Sequence, residues 1–461
     1  MRGDMTSRTE VSIASSLGQF FAHVRPEDLP PLAFERAQMS IASTIASAAM
    51  GRDIVSSNII REMARERGGT AESSIWFDSG PKLPAADAAR VNAVMSDAAA
   101  SDDSDMRAIA HIGTIVSTTS IAMGERLGSS GRDVLAAMIV GYEAAGRIDE
   151  ALVPGRGDKG FHGSISTIFG GTVATGRLLG LNPDQMTHAI ALAATSIGGI
   201  GVAANTSWAR EYHADLSATL GINAAIAAQK GFLAEPNVLE APKGFFDAFG
   251  TLDFVDEVTK DLGQEWDITT DMAIKLVPGG HPFHATAEAA ANAAIKGDVA
   301  PEDVDAIIIT QGNLRALNGP RHPTDLIGVA HSLAYFVACA VADRGYGWVH
   351  AQPHKVTDPV IGALLDRIEV DPDPPPLPSR FAWRHGGSVT IRLRDGRVFT
   401  DHVEAPRGSG ARGIDWADVD EKYRTLAPLA GLSSQQVNRS LDVVHRFGDI
   451  DSMSELIDAL H

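Results

Sequence analysis

Residues 37–50 read Ala37-Gln-Met-Ser-Ile-Ala-Ser-Thr-Ile-Ala-Ser-Ala-Ala-Met50, with small or apolar side chains on nearly every face of a helix. Such a helix, stopped by Gly51, predicts a segment that is buried on all sides. Alanine-rich stretches with apolar residues at helical spacing continue to about residue 260. They predict further helices over residues 91–100, 113–126, 133–151, 165–180 and 184–197. Residues 1–267 are therefore predicted to form a domain of closely packed helices.

The pattern changes beyond residue 267. Residues 304–310 read as a strand, and residues 388–404 alternate around Asp395-Gly396, which predicts a β-hairpin. Helices are predicted beside these strands over residues 285–295 and 328–342. Residues 268–405 are thus predicted to form a smaller α+β domain, and residues 406–461 a helical tail that returns to the helical domain. The predicted fold class is mainly α, with a large all-helical domain and a smaller α+β domain.

The bulk composition limits the classes of function. The chain has 461 residues, 44% of them hydrophobic, and a net charge of -19, which argues against nucleic-acid binding because phosphates need a basic surface. Its single cysteine, Cys339, excludes a disulfide framework and a cysteine-rich zinc site. The sequence has no run of about 18 apolar residues and no secretory pattern at its start, so we expect no membrane partner and a cytoplasmic location.

Residues 155–164 read Gly155-Arg-Gly-Asp-Lys-Gly-Phe-His-Gly-Ser164, and the first six residues fit the G-x-G-x-x-G pattern of a dinucleotide-binding turn. That turn needs a preceding strand and an acidic residue about 20 positions later. Residues 141–152 instead have helical periodicity, and residues 178–181 carry no acid. The stretch is therefore interpreted as a glycine-rich loop between helices. It would place His162 near the start of the next helix, where backbone N–H groups can face an anion.

Four other stretches set polar residues among glycine and alanine: residues 101–113, 208–217, 274–284 and 318–323. Further blocks are Gly160-Phe161-His162 followed by Gly170-Gly171 and residues 177–181 (Arg-Leu-Leu-Gly-Leu), residues 227–232 (Ala-Ala-Gln-Lys-Gly-Phe) followed by 239–246 (Leu-Glu-Ala-Pro-Lys-Gly-Phe-Phe), and His331-Ser332 with Tyr335. Together and in this order, these blocks resemble the MmgE/PrpD family over nearly the whole chain.

This resemblance implies an all-helical domain built from both ends of the chain, with an α+β lid domain between them and the active site in the cleft. It also implies a homodimer. Members of the family include 2-methylcitrate dehydratases, cis-aconitate decarboxylases and iminodisuccinate epimerases. The expected partner is a small di- or tricarboxylate substrate, and the family's chemistry implies that no cofactor is needed.

Matched residue by residue, His162 and His111 fall on active-site histidines of the family, and Lys275 falls on the lysine that opens the lid segment. Arg210 stands where the family usually has lysine; the charge is kept, but the guanidinium forms a fork suited to a carboxylate. The sequence also departs from the family. Ala100 replaces the first aspartate of a D-F-D-D stretch, Gly280 stands where decarboxylase-like members have histidine, and Leu317 replaces a common tyrosine.

Eight residues are predicted to form the site: His162, Lys275, His111 and His281 as catalytic groups, and Arg210, His213, Asp102 and Asp103 as substrate-binding groups. Elimination, decarboxylation and epimerisation all develop negative charge next to a carboxylate. Fixed cations can hold that charge, and histidines can move protons. Which histidine is base and which is acid stays open at this stage, and His281 is expected to replace the shifted lid histidine.

A structural interpretation also exists for each of these residues. His111 could cap a helix or be a buried histidine whose hydrogen bonds are satisfied. Arg210 and His213 could pair with Glu211 or Asp215 at the surface, and Lys275 could be solvated. Asp102 and Asp103 could orient a neighbouring helix.

No metal is predicted. His281 and His284 lie close together and Asp102, Asp103 and Asp105 cluster, but the sequence has no H-E-x-x-H motif or similar spacing.

Three classes of function stay open. The first is a lyase that forms or consumes a C=C bond next to a carboxylate. The second is an epimerase or racemase that removes and returns a proton alpha to a carboxylate. The third is a non-catalytic helical scaffold.

Overall fold

The computed structural model describes residues 11–107, 109–196, 198–378 and 383–461. The helices before residue 271 are α1 (Ile13–His23), α2 (Pro31–Gly51), α3 (Val55–Arg67), α4 (Ala85–Ala98), α5 (Ile112–Leu127), α6 (Gly131–Leu152), α7 (Gly155–Asp158), α8 (Ser164–Leu178), α9 (Pro183–Ala193), α10 (Gly201–Thr206), α11 (Ala209–Gln229), α12 (Phe245–Phe249) and α13 (Asp267–Thr270). The predicted helical character of this part of the chain is confirmed.

Helix α2 is buried along most of its length, as its composition predicts, and Ile41 and Ile45 are fully enclosed. Helices α4, α5, α6, α8 and α11 pack around one another. Glycine makes the closest approach possible: a Cβ on Gly141 of α6 would lie 2.6 Å from the carbonyl oxygen of Gly170 in α8. The small residues of these helices therefore set how tightly the helical body packs.

Several helix bounds differ from their predicted positions: α2 and α4 each begin six residues earlier, at Pro31 and Ala85, and α8 ends at Leu178 instead of residue 180. Helix α4 ends at Ala98 instead of residue 100, because Ala100 adopts a φ of 51°, which a right-handed helix does not allow. Helix α9 ends at Ala193, and residue 197 of its predicted range lies outside the described residues. Because α4 ends early, residues 99–107 and 109–111 form an irregular segment outside any helix, within the helical body.

The remaining elements are α14 (His284–Lys296), α15 (Leu326–Ala330), α16 (Leu333–Ala342), α17 (Pro353–Val356), α18 (Pro359–Leu365), α19 (Trp416–Leu426), α20 (Ser434–His445) and α21 (Ser454–Leu460), with strands β1 (Ser104–Asp105), β2 (Met272–Ala273), β3 (Val304–Gln311), β4 (Ile368–Val370), β5 (Gly387–Leu393) and β6 (Val398–Val403). The predicted strand and hairpin are confirmed. The helix predicted over residues 328–342 is two helices, because the Ser332 side chain caps α16 by accepting from the Tyr335 amide at 3.0 Å.

The smaller α+β unit contains a four-stranded sheet in the order β4-β3-β5-β6. β3 pairs in parallel with β4 and antiparallel with β5, and β5 pairs antiparallel with β6. Helix α14 packs on this sheet and α16 packs on α14, and a separate hydrophobic core there includes Ile307, Phe336, Val389 and Cys339. The chain thus has a large helical body and a smaller α+β unit, as predicted.

One short sheet joins residues from the two units. β1 pairs antiparallel with β2, with Ser104 opposite Ala273. No strand was expected before residue 267, and β1 is too short to show an alternating pattern. The pairing sets the segment after Asp103 against the segment before Lys275, and so brings two predicted site stretches together.

The C-terminal helices pack on the helical body. Helix α19 lies against α2, and the Lys422 ammonium in α19 donates to the Ser43 hydroxyl in α2 at 2.8 Å. Among the described residues, no helix is both long enough and apolar enough to span a membrane.

Candidate active site

His111 lies between two buried carboxylates. It immediately precedes α5, and its Nδ1 is 2.8 Å from Asp97 Oδ1 and 2.8 Å from Asp102 Oδ2. Its side chain makes no capping hydrogen bond to α5, so the helix-cap interpretation is wrong. Burial disfavours the charged ring, but the charges of Asp102 and Asp97 outweigh it and raise the pKa of His111 to about 9. His111 is therefore a cation at neutral pH.

Arg210 is held by the other side of Asp97. Its Nε is 3.1 Å from Asp97 Oδ2, and its Nη2 donates to the backbone oxygen of Asp97 at 2.7 Å. Arg210 is buried at the start of α11, and Glu211, 3.6 Å from Nη2, is a more distant partner. The surface-pair interpretation of Arg210 is therefore wrong, since its main partner is a buried aspartate from α4.

Asp97 was not singled out by any motif. It is the acidic residue of Met95-Ser96-Asp97-Ala98, on the last turn of a helix that is otherwise buried and mostly small or apolar. A buried carboxylate must be paired with a cation or a hydrogen-bond donor. An aspartate within a helix of small and apolar residues was therefore the signal that could have marked Asp97 as a functional or supporting residue. Burial acts to raise its pKa, but the charges of Arg210 and His111 outweigh that and hold the pKa well below its usual range.

Lys275 enters from the α+β side, two residues after β2. Its ammonium nitrogen lies 3.4 Å from Asp102 Oδ1 and 3.4 Å from the backbone oxygen of Ala100, and the residue is 2% exposed. Lys275 is thus a buried cation, and the solvated-lysine interpretation is wrong. Burial acts to raise the pKa of Asp102, but the charges of His111 and Lys275 lower it overall.

His162 faces His111 with 6.1 Å between the ring centroids. It lies two residues before α8, and its Nδ1 is 2.9 Å from the Ser164 hydroxyl, which in turn is 3.0 Å from His213 Nδ1. Burial, together with the charges of His111 and Arg156, lowers the pKa of His162 well below its usual value. The neighbouring histidines therefore have opposite shifts, with His162 neutral and His111 charged.

A cavity of about 260 Å³ lies between the helical body and the α+β unit. It is lined on the helical side by His111, Arg156, His162 and Arg210, and on the other side by Lys275, Gly279, Gly280, His281 and His331. Five of the eight predicted site residues therefore meet at one cavity. The amide of Gly279 donates to the backbone oxygen of Ala100 at 2.9 Å, which ties the two walls together.

His281 is completely buried, and neither ring nitrogen has a hydrogen-bond partner in the described part of the chain. Unpaired buried nitrogens are costly, so a ligand or water in the cavity is the expected partner. Burial, with the charges of His284 and Lys275, lowers the pKa of His281 well below its usual value. His281 is thus suited to contact substrate as a neutral ring.

The other three predicted residues lie behind the cavity wall. Asp102 holds His111 and Lys275, Asp103 accepts from the Ser40 hydroxyl at 2.6 Å, and His213 contacts Ser164. Each is turned toward other side chains of the protein, because each carries a polar partner of its own inside the helical body. Their predicted contact with substrate is not supported by this arrangement.

His331 also lines the cavity, although it was not predicted as a site residue. It belongs to the His331-Ser332 block of the sequence. It lies in the break between α15 and α16, and its Nδ1 donates to the backbone oxygen of Ile327 at 2.8 Å. Burial, with the nearby charge of Arg210, lowers its pKa to about 4. Arg156, also unassigned, lines the cavity beside His162 and pairs with Asp149.

Three potential metal-ligating atoms, from Asp97, Asp102 and His111, lie within 4.8 Å of one another. Both carboxylates already contact a cationic side chain, Arg210 or Lys275. The positive charge that a metal would supply is therefore present in the protein itself. The metal-free site stays a prediction, and these three residues would be the ligands if a metal were bound.

Gly113 is needed for the position of Asp103, because a Cβ on Gly113 would lie 1.9 Å from Asp103 Oδ2. We expect Gly113→Ala to destabilise the fold by about 1–3 kcal/mol through overpacking, measured by urea unfolding. Gly362→Ala is the matched control, since nothing lies within 4 Å of its added Cβ in helix α18 and alanine favours helix. Equal stability of the two variants would contradict this account of Asp103.

The helical body and the α+β unit thus enclose a cavity lined by histidines and buried cations. Sequence comparison names the family. The MmgE/PrpD N-terminal domain matches residues 15–256 and the MmgE/PrpD C-terminal domain matches residues 278–446. The chain belongs to the MmgE/PrpD family.

Named relatives cover almost the whole chain. Cis-aconitate decarboxylase of Homo sapiens is 25% identical over 458 residues, which covers 96% of this chain and 94% of the relative. Cis-aconitate decarboxylase of Aspergillus terreus is 27% identical over 492 residues, with 98% and 97% covered. The enzyme of the same name from Mus musculus is 25% identical over 398 residues, with 83% and 80% covered.

Proposed function

We propose that this protein is a cofactor-independent lyase that acts on a small di- or tricarboxylate by acid–base chemistry. The observation that carries the proposal is the pair of neighbouring histidines with opposite pKa shifts, at a cavity that also exposes Arg210 and Lys275. When their environments push the pKa values of two titratable groups apart, the group with the lowered pKa can act as base and the group with the raised pKa as acid. His162 is then the base and His111 the acid.

The cations would hold the substrate and the charge that develops on it. Arg210 and Lys275 reach the cavity from opposite walls, each backed by an aspartate that fixes its position. Two fixed cations can bind a carboxylate and stabilise negative charge without reorganising during the reaction. Nδ1 of His162 is engaged by Ser164, which leaves Nε2 to meet the substrate. A hydroxyl both donates and accepts, so Ser164 supports His162 in either tautomer.

The relatives named cis-aconitate decarboxylase favour decarboxylation as the lyase reaction. In that step the C–C bond to a carboxylate breaks, carbon dioxide leaves, and the bonding electron pair stays on the substrate. A proton from the charged His111 would then complete the product. In a dehydration, His162 would instead take a C–H proton while His111 protonates the departing hydroxyl. Gly280 and Leu317, at positions where family members carry other residues, leave the identity of the carboxylate open.

An epimerase is the second candidate, because a neutral base facing a charged acid is also what removal and return of a proton requires. The two functions are separated by incubating the protein with a panel of di- and tricarboxylates in deuterated water and following proton NMR. A lyase produces new alkene or decarboxylated signals. An epimerase exchanges a substrate C–H for deuterium without elimination. A panel in which nothing changes would contradict both functions and favour a scaffold.

The pH dependence follows from the charged state of His111. Its raised pKa predicts that kcat/KM falls as pH rises through about 9, where the acid loses its proton. Removing one of the carboxylate charges that raise this pKa, as Asp97→Asn does, is expected to move this fall to lower pH. The free energy of unfolding depends on pH with the same sign. The charged His111 stabilises the fold fully below pH 6.5, the ordinary pKa of histidine, and this stabilisation is lost as pH rises through about 9.

The pH profiles of kcat/KM for the wild type and Asp97→Asn test this prediction. Glu72→Gln, which removes a carboxylate outside the cavity lining, is the control and should leave the fall in place. Identical profiles for the wild type and Asp97→Asn would show that His111 is not the acid. Dimeric assembly is proposed on the resemblance alone, and a cytoplasmic location on a sequence that has no run of about 18 apolar residues.

A further inference from the structure

Lys422 is a buried lysine from the C-terminal tail that lies next to the active-site segment. It is 2% exposed, and its ammonium donates to the Ser43 hydroxyl at 2.8 Å and to the backbone oxygen of Ser101 at 2.5 Å. The two residues of the second contact are 321 positions apart in the chain. Helix α19 thus reaches across the helical body to the irregular segment that follows α4.

The contacted peptide group leads directly into Asp102. The two oxygens of that carboxylate serve His111 at 2.8 Å, Lys275 at 3.4 Å and the Thr114 hydroxyl at 2.9 Å. The segment has left-handed backbone at Ala100 and no helix of its own, so its position depends on contacts from outside. The Gly279 amide holds the oxygen of Ala100, and Lys422 holds the next carbonyl along the chain.

Lys422 does not line the active-site cavity. It lies at the wall of a separate cavity of about 390 Å³, bounded also by Trp348 and the segment Leu276-Val277. Its ammonium is 5.7 Å from the centre of the Trp348 ring. Any effect of Lys422 on the reaction must therefore pass through the groups it holds.

We propose that Lys422 is a positioning residue of the active site: it fixes the peptide between Ser101 and Asp102, so that Asp102 holds His111 and Lys275 at the cavity. This inference rests on the proposed function. On this proposal the C-terminal tail supports catalysis, although none of the described residues that line the active-site cavity belongs to the tail.

Lys422 is surrounded by buried charges of both signs. Burial, with the repulsion of Lys275, lowers the pKa of Lys422 to about 7 against the opposing pull of Asp103 and Asp102. Removing one partner from a buried set of charges destabilises a protein, and Lys422→Met also leaves the Ser101 carbonyl and the Ser43 hydroxyl without the lysine. A fall in stability is therefore expected in any case, and kcat together with rescue by arginine has to distinguish the positioning role.

The test compares Lys422→Met and Lys422→Arg with Arg424→Met, which removes an exposed cation two residues away on the same helix. We expect Lys422→Met to lower kcat by about 10- to 100-fold, the usual effect of a small misplacement, with KM close to the wild-type value. Arginine, which still donates to Ser101, should restore part of kcat. The melting temperature of Lys422→Met should fall, so kcat is measured well below it, and Arg424→Met should behave as the wild type.

Wild-type kcat for Lys422→Met would overturn the proposal. So would a fall in kcat that appears only near the melting temperature of the variant and is not relieved by arginine, since that pattern belongs to a structural residue. The wild type is measured on the same carboxylate panel. A wild type without turnover overturns the proposed function, whereas an active wild type with an equally active Lys422→Met overturns only the role of Lys422.

Discussion

His162→Gln is expected to lower kcat by about 10²- to 10⁴-fold, the usual contribution of a general acid or base. Glutamine keeps a polar side chain that can bond to Ser164, but it cannot accept a proton from substrate at neutral pH. His162 is only partly buried and its ring makes no ion pair among the described residues, so the fold should be retained. The measurement is turnover of the substrate identified by the NMR panel, with circular dichroism to confirm the fold.

His354→Gln is the matched control for this variant. His354 is exposed on the α+β unit and does not line the active-site cavity. Its loss should leave kcat unchanged. If both histidine variants turned over at the wild-type rate, His162 could not be the base, and the proposed mechanism would fail.

Lys275→Met is expected to lower kcat/KM by about 10²- to 10³-fold, the effect of removing one preorganised group that stabilises developing charge. The loss has two physical parts. The cavity loses a cation that faces the substrate. The Asp102 carboxylate also loses the cation 3.4 Å away and keeps only His111 and Thr114 as polar partners among these three side chains. Breaking a buried pair also destabilises a protein, so the melting temperature should fall as well.

The control for Lys275 is Lys296→Met, an exposed lysine at the end of α14. Assays are run well below the melting temperature of the weaker variant, so that the fall in kcat/KM reports on the site. A Lys275→Met protein with the kcat/KM of Lys296→Met would show that this buried cation does not act on substrate.

The periodicity of apolar residues was sufficient to predict many of the helices and strands. The apolar faces of α2, α5 and α6 and the alternation of β5 and β6 are local patterns, and each is confirmed within a few residues of its predicted bounds. Two of the features that the sequence misjudged arise from tertiary contacts. α4 ends early where Ala100 turns left-handed, and β1 exists only because β2 pairs with it from the other unit.

The candidate site was predictable only where a motif marked it. His111, His162, Arg210, Lys275 and His281 were expected, and the structure gathers all five at one cavity. Asp102, which supports His111 and Lys275, was expected in the site, but two other supporting groups were not, because their contacts come from across the fold. Asp97 binds Arg210 over 113 positions, and Lys422 binds Ser101 over 321 positions. Neither spacing leaves a local signature in the chain.

The glycines of residues 155–164 have a different role from the one that their spacing suggests. Residues 155–158 form the short helix α7, and the His162 amide donates to the backbone oxygen of Gly199 at 2.8 Å. Gly160 has a φ of 83°, which a glycine adopts without strain. The stretch thus serves to bring His162 beside His111.

The central claim is the division of labour between a neutral His162 and a charged His111, and it is tested most directly by heteronuclear NMR of the histidine-labelled protein across a pH titration. His111→Gln and His162→Gln identify the two ring signals. The account predicts that His111 stays protonated until about pH 9, while His162 stays neutral to well below the ordinary value of 6.5. Two rings that titrate together near 6.5 would contradict it.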